Sequence, residues 1–417
     1  MTIRRSYSHP MERYDAIVIG ASLNGATLAL ALVSAGFSVA VVDPMTPDIQ
    51  ENPRFDGRSY ALAPASVRML DVLGLWQGLA PNAQAMLKIR ASDGRPGEGA
   101  APQVLSFDQA ELEDGPLGQM VEDRHLRQIL QARLRGTDGL SYLPGRRVTR
   151  QRTDGPMAET DLDDGTTLAA ALIIGADGKT GPTAARAGIQ RLVTPYGQSA
   201  LVCAIRHARP HQGIAHQFFM PAGPLAILPL QGNRSSIVWS EENNQAKSIM
   251  NLDDDGFLQV LRPRFGDFLG DITLEGDRYS YPLTRSLASS FTAPRLALVG
   301  DAARAVHPLA GQGLNAGLRD TAALAEVLAE ARRRGEDIGR GDVLARYARW
   351  RRFDSTGLAI ATSGFNMLFS NDNPAIRLGR DLGMGLVNAL PGVKRAIMRE
   401  AAGLTGDLPR LMAGRPI

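Results

Sequence analysis

The apolar positions fall into several distinct patterns along the chain. Residues 14–19 form an unbroken apolar run after Tyr14 and Asp15 and predict a buried strand. Residues 25–35 are rich in Ala and Leu and predict a helix, closed by Gly36. Residues 38–42 predict a second strand. Such a strand–helix–strand unit implies a parallel sheet. Residues 44–57, with three prolines, predict a loop; 66–73 a helix ending at Gly74; 93–102 an exposed Gly/Pro-rich turn; and 122–134 an amphipathic helix. Residues 168–174 predict another buried strand. From 196 to 285, alternating Val, Ile, Phe, Trp and Tyr with frequent Gly and Pro predict a largely antiparallel sheet. Strand, loop and helix return over 295–330, and 343–402 predict a mostly helical region broken at Gly364, Pro374 and Pro391.

The apolar stretch 16–42 is long enough to suggest a membrane span. Gly20, Gly25 and Gly36 punctuate it and Asn24 lies inside it, so a buried strand–helix–strand accounts for it better. The fold class expected is α/β: a discontinuous Rossmann-like domain, an inserted mainly antiparallel β domain, and a helical C-terminal region. The expected division is 13–80, 111–190 and 286–342 for the nucleotide domain, 81–110 and 191–285 for the β domain, and 343–417 for the helical part.

Three glycine-bearing motifs carry the chemistry. Gly20-Ala-Ser-Leu-Asn-Gly25 follows a strand and opens a helix. A pyrophosphate needs close backbone approach and the N–H groups of a helix N-terminus. Gly20 allows the tight turn and Gly25 the close packing, while Ser22 stands where the usual middle glycine would be. Asp43 ends the second strand, 18 residues beyond Gly25, where a carboxylate can hold ribose hydroxyls. Gly175-Ala-Asp177-Gly178 ends the strand over 168–174. Gly300-Asp301 ends a third strand and leads into His307-Pro-Leu-Ala-Gly-Gln-Gly-Leu-Asn315 and a long helix. An acid at a strand's edge binds polyol hydroxyls, and a Gly-rich loop feeding a helix N-terminus directs N–H donors at a developing anion, as reduced flavin requires.

Composition narrows the possibilities further. Of 417 residues, 46 are basic and 43 acidic, a net +3 that gives no reason to expect nucleic acid. The single cysteine, Cys203, excludes an internal disulfide and any cysteine-based metal site, and suits a reducing cytoplasm. His207, His211 and His216 sit beside Pro210 and Gly213 in what reads as a surface turn, so no metal is expected.

Together these motifs resemble the class A flavin monooxygenases of the para-hydroxybenzoate hydroxylase fold, and within them the ubiquinone-biosynthesis hydroxylases. The resemblance runs from about residue 13 to 415. Asp56-Gly-Arg-Ser-Tyr-Ala-Leu62 resembles the segment with an FAD-contacting arginine, here Arg58. Glu122-Asp-Arg-His-Leu-Arg-Gln-Ile-Leu130 resembles the helix with another, Arg124. Phe218-Phe-Met-Pro-Ala-Gly-Pro-Leu-Ala-Ile-Leu-Pro-Leu230 resembles the sheet roofing the substrate pocket, which points to Phe219, Leu225, Ile227 and Pro229. Leu368-Phe-Ser-Asn371 and the tail from Gly403 to Gly414 also resemble this subfamily. Arg304 stands where relatives carry histidine and would face a phosphate or an acidic partner.

The resemblance implies FAD as cofactor, NADPH or NADH as electron donor, O2 as co-substrate, and hydroxylation of an aromatic ring through a flavin C4a-hydroperoxide. The implied cofactor contacts are Gly20, Ser22, Gly25, Asp43, Arg58, Arg124, Asp177, Gly300, Asp301, Pro308, Gly311, Gly313, Leu314 and Asn315. His307, Pro308 and Gln312 are the catalytic candidates, with an orienting role for His307 preferred. No second dinucleotide fingerprint is visible, so the nicotinamide donor binds transiently. The implied substrate is a polyprenylated phenol, with other ubiquinone-biosynthesis proteins as possible partners. Residues 346–417 hold 11 Lys/Arg and 5 Asp/Glu, an excess of +6 among apolar positions such as Leu390, Val393 and Ile397. Such a helix either meets a membrane surface or packs on its own domain. The expected location is the cytoplasm, with peripheral contact at the inner face of the membrane. Alternatives are a non-catalytic flavin-binding scaffold, or a same-fold monooxygenase for a soluble aromatic or a terpenoid. No Trp-x-Trp-x-Ile stretch of a halogenase follows the first motif.

Overall fold

A computed structural model describes residues 12–95, 97, 99–111, 115–305, 312–351 and 390–417. Strand Glu12–Ile19 lies inside an eight-stranded sheet, with Thr167–Gly175 on one side and Val39–Asp43 on the other, both parallel to it. Leu140–Pro144 extends the sheet beyond Val39–Asp43, and Leu296–Leu298 extends it beyond Thr167–Gly175, again in parallel. The first, second and third motifs thus leave the C-terminal ends of neighbouring strands, with Ile19 opposite Gly175 and Gly175 opposite Leu298. Ligands of open α/β sheets bind at this edge.

Helix Leu23–Ser34 crosses from the first strand to the second. Its Ala/Leu face is buried, with Leu28 and Leu32 fully out of water. It ends in a Schellman arrangement: Phe37 N–H donates to Leu32 O and Gly36 N–H to Val33 O, with Gly36 at φ +82°. Asp123–Arg135 forms the expected amphipathic helix, and Gln312–Arg333 packs against Leu23–Ser34.

The second eight-stranded sheet is largely antiparallel. Two of its strands, Arg191–His207 and Ile272–Ala288, are 17 residues long and pair along most of their length. The sheet continues through Arg234–Glu242, Gly223–Leu230 and Ile214–Met220 to the hairpin Lys88–Arg95/Gly99–Asp108. The expected turn at 93–102 is therefore mostly strand, because Ile214–Met220 offers Lys88–Arg95 a parallel partner that local composition does not reveal. One face of the sheet is covered by helices Asn243–Met250 and Asp254–Phe265, around Trp239, Phe257 and Leu261. The other packs on a three-stranded sheet of Ser59–Leu62, Gly118–Glu122 and Gln84–Met86. In the C-terminal region the structure is helical over 341–351 and Pro391–Ala401. Leu368 to Asn371 lie outside the described residues.

Candidate active site

The three motifs meet in space. Gly20 has φ +106°, and a Cβ there would fall 2.5 Å from Ala176 O; one on Gly25 would fall 1.9 Å from Gly20 O. Ala176 N–H donates to Ile19 O at 2.8 Å, so the first and second motifs interlock through backbone. The third joins them at Gly300, φ +58°, where a Cβ would meet Asn24. Ser22 is the N-cap of helix Leu23–Ser34 but makes no side-chain cap hydrogen bond, and no acid lies in the first turn. This helix start keeps its amide donors and positive dipole end available, which fits a dinucleotide diphosphate.

Asp43 is almost fully buried. Its Oδ2 accepts from Ala21 N–H at 2.6 Å and its Oδ1 from Met45 N–H at 2.8 Å. Burial raises its carboxyl and these two bonds oppose the rise. Asp43 therefore holds the shape of the first glycine turn. Asp177 accepts Thr183 N–H at 3.0 Å and packs tightly against Gly181, fixing the turn after the second motif.

Asp301 is exposed, just past the C-terminal end of strand Leu296–Leu298. Desolvation raises its carboxyl, with Lys179, Arg304 and Arg191 pulling the other way. Arg191 donates to the carbonyls of Asp301, at 3.4 Å, and Ala302. Arg304 meets an acidic partner, Asp320. Asn315 Oδ1 accepts from Ala63 N–H and Ser66 Oγ, both at 2.8 Å, and its Nδ2 donates to Ala61 O. That side chain ties the long helix to strand Ser59–Leu62. Leu314 is half-buried against the core of the parallel domain, and a Cβ on Gly313 would meet nothing within 4 Å among the described residues. His307, Pro308 and Gly311 lie outside the described residues, as does the side chain of Gln312.

Tyr60, which the motifs did not single out, lies within electrostatic reach of Asp301. Its phenol is pushed up by desolvation first, then by Asp123, and it feels Asp301 as well. Asp123, itself buried, takes Arg58 at 2.8 Å and Arg127 at 2.6 Å; Arg58 also reaches Asp56 at 2.6 Å. Arg124 bonds Glu122 at 2.8 Å and Pro53 O at 3.0 Å, and shares the Phe55 ring with Arg234. Arg58 and Arg124 thus stand together at the start of helix Asp123–Arg135, held by carboxylates. Tyr281 sits within electrostatic reach of Arg58, Asp56 and Asp123.

The pocket candidates divide between the two faces of the antiparallel sheet. Leu225 and Ile227 are in the core beneath the helices, with Trp239 and Phe257, and Pro229 shares their side of the strand. They do not face the cofactor domain. Phe219 lies on the other face, with Ala91 and Leu105. Leu228, Leu230 and Ala204 are on that face too, against Phe55, Ala61 and Met120, and half-buried Ala226 and Val202 share it by alternation. Strand alternation was visible in the sequence, but which parity faced the cofactor domain was not.

Among the described residues no group of three His, Cys, Asp or Glu could hold a metal, and no helix is long and apolar enough to cross a membrane. His207 uses its ring nitrogens on Arg209 O and Ser235 Oγ, and His211 on Leu230 O and Gly213 N–H.

This geometry is that of a doubly wound α/β protein whose three glycine-bearing turns meet at one edge of the parallel sheet, the edge at which such folds bind nucleotide cofactors. A family model described as FAD binding domain matches residues 13–353. Ubiquinone hydroxylase UbiL of Rhodospirillum rubrum is 43% identical over 406 residues, covering 97% of this chain and 93% of that one. The 3-demethoxyubiquinol 3-hydroxylase of Escherichia coli is 34% identical over 389 residues, covering 93% and 98%. Among solved structures, p-nitrophenol 4-monooxygenase PnpA from Pseudomonas putida superimposes with a TM-score of 0.78 at 20% identity, over 95% of this chain and 99% of that one. The chain belongs to the ubiquinone-hydroxylase family of FAD-dependent monooxygenases.

Proposed function

We propose that the protein hydroxylates the aromatic ring of a polyprenylated phenol in ubiquinone biosynthesis. The overall balance is NAD(P)H, a proton, O2 and the arene giving NAD(P)+, water and the phenolic product. FAD, when bound by these residues, would supply the hydride-accepting and O2-activating chemistry needed to place one oxygen atom on the ring. The chain's own residues bind, orient and exclude water. Gly20, Gly25 and the start of helix Leu23–Ser34 receive the diphosphate. Asp43 and Asp301 hold ribose and polyol hydroxyls. Gly300 and the amides opening helix Gln312–Arg333 stand where negative charge develops. Arg58 and Arg124 fix the cofactor's outer rim.

The observation that supports this reading is the meeting of all three motifs at one edge of the parallel sheet, interlocked through Gly20, Ala176 and Gly300. We assign the far wall of the substrate pocket to the sheet face bearing Phe219, Ala226 and Leu228, whose apolar side chains would keep the reacting ring away from bulk water and so protect an oxygen-transferring species from decay. Burial keeps the Tyr60 phenol protonated, so it serves as a neutral hydrogen-bonding group. The same wall suits an apolar tail. Such a tail resides in a bilayer, so we further propose that the enzyme works peripherally at the inner membrane face, alongside other proteins of the pathway.

The test is direct. Flavin-loaded protein should oxidise NAD(P)H faster with a prenylated phenol, and the product should gain one oxygen by mass spectrometry. Deleting the gene in its host should accumulate the unhydroxylated quinone precursor. Flavin-loaded protein that hydroxylates no phenol would refute the proposal.

A further inference from the structure

On the face of the antiparallel sheet that meets the cofactor domain, side chains line up in rows across the strands. Register sets one row: Val202 opposite Val238, Val238 opposite Ala226, Ala226 opposite Gln217. These four side chains are half-buried. The rows on either side are more closed. Ala204, Ser236 and Ala215 are buried on one side, beside Leu228, and Ala200, Ser240, Pro224 and Phe219 on the other. The half-buried row is therefore a shallow trough across four strands, about 14 Å long.

Gln217 is the only polar side chain in that row. Its neighbours two residues away on the same face, Ala215 and Phe219, are both buried. Phe218 points to the opposite face, into the core beneath the helices. Strand Ile214–Met220 is thus packed on both faces, yet the Gln217 carboxamide makes no hydrogen bond or ion pair with any described residue. A half-buried amide between buried neighbours loses hydration and gains nothing back from the chain, whereas a leucine there would fill the same space without that loss. The amide keeps its donor and acceptor free in an otherwise apolar trough. An apolar lining with one placed polar group is the composition of a small-molecule site, where the polar group sets orientation. The ligand it fits is an apolar ring carrying a hydroxyl: the ring lies over Ala226 and Val238, whose small side chains leave room, and the hydroxyl lies at the Gln217 end. A ring bearing a carboxylate would want a cation, and the row holds none.

We propose that Gln217 is a substrate-binding residue that hydrogen-bonds the hydroxyl of the phenol and so fixes which ring carbon is presented for hydroxylation. The inference rests on the phenol-hydroxylation reading and adds to it the group that recognises the ring oxygen.

The experiment titrates flavin-loaded wild type, Gln217→Leu and Gln217→Asn with 2-geranylphenol and with geranylbenzene, which lacks the hydroxyl. Binding is followed by the shift in flavin absorbance without NAD(P)H, so turnover plays no part. The wild type should bind the phenol about tenfold more tightly than the hydrocarbon, corresponding to about 1.4 kcal/mol. Gln217→Leu should bind the two equally, the whole loss falling on the phenol. A merely structural glutamine does not produce such coupling between one side chain and one hydroxyl. Gln217→Asn withdraws the amide by one methylene and should also lose the preference; it gives the same reading if the leucine variant does not fold. The urea midpoint of Gln217→Leu should equal or exceed that of the wild type, because the amide gives nothing to the fold. A preference for the phenol that survives unchanged in the variants overturns the inference and leaves phenol hydroxylation standing. A wild type that binds neither ligand overturns both.

Discussion

Asp320 Oδ1 accepts the Arg304 guanidinium at 3.0 Å, and neither side chain has meaningful contact with water. The same oxygen takes Arg351 Nε at 2.7 Å, and Asp320 Oδ2 takes Gly300 N–H at 3.2 Å. One buried carboxylate on the long helix thus ties down the turn that presents Asp301, the arginine following it, and the helix over 341–351. Arg304 also donates to Ala316 O at 3.0 Å. The turn after Gly300 is thus secured by a permanent charge and a matching acid.

Asp320→Ala should therefore be among the most damaging single changes. It leaves two buried guanidiniums without this carboxylate, and breaking such a pair from one side costs about 3–5 kcal/mol. Urea unfolding should show that loss, with FAD retention falling alongside it. A loss under about 1 kcal/mol would show that the cluster contributes little to stability.

Gly25→Ala should abolish cofactor retention. The added Cβ would sit 1.9 Å from Gly20 O, a backbone atom with no side-chain freedom to yield. The variant should purify colourless even if its far-UV circular dichroism is native. A yellow Gly25→Ala protein would mean the glycine turn has more room than the geometry allows.

Ala226 and Ile227, adjacent on one strand, should respond in opposite ways. Ala226→Phe intrudes on the face turned to the cofactor domain and should raise KM for a prenylated phenol at least severalfold, with stability nearly unchanged. Ile227→Ala hollows the core beneath the helices and should cost about 2–5 kcal/mol, with KM nearly unchanged. Steady-state kinetics and urea titration on both variants check this, and the reverse pattern would invert the assignment of faces.

His216 should make the fold acid-sensitive. Burial first, then Arg90, lowers its imidazole to about 4, and its ring packs 4.3 Å from that of Phe268. The folded state favours the neutral ring, so the unfolded chain binds more protons between its ordinary value near 6.5 and about 4. Stability present above pH ~6.5 is lost as pH falls through that window, by at most about 3 kcal/mol. His216→Phe should flatten the urea midpoint over this range. An unchanged pH profile would show that another group controls the acid limb.

Much of this architecture was legible in the chain itself. The apolar runs at 14–19 and 168–174, the glycines at 20, 25 and 36, and the turn at Gly300-Asp301 dictated parallel strands with a nucleotide edge. The reason is local: backbone conformation, periodicity and helix-end chemistry act over a few residues. Only tertiary structure decided which side of strand Gly223–Leu230 meets the cofactor domain. Alternation gives two faces, and long-range packing against Trp239 or against Met120 chooses between them. It also decided that Arg304 finds Asp320, 16 residues on, that Tyr60 comes within electrostatic reach of Asp301, and that Asn24 packs against Gly300 and Gly317. Those relationships join residues far apart in the chain, and no pattern within one segment encodes a distance to another.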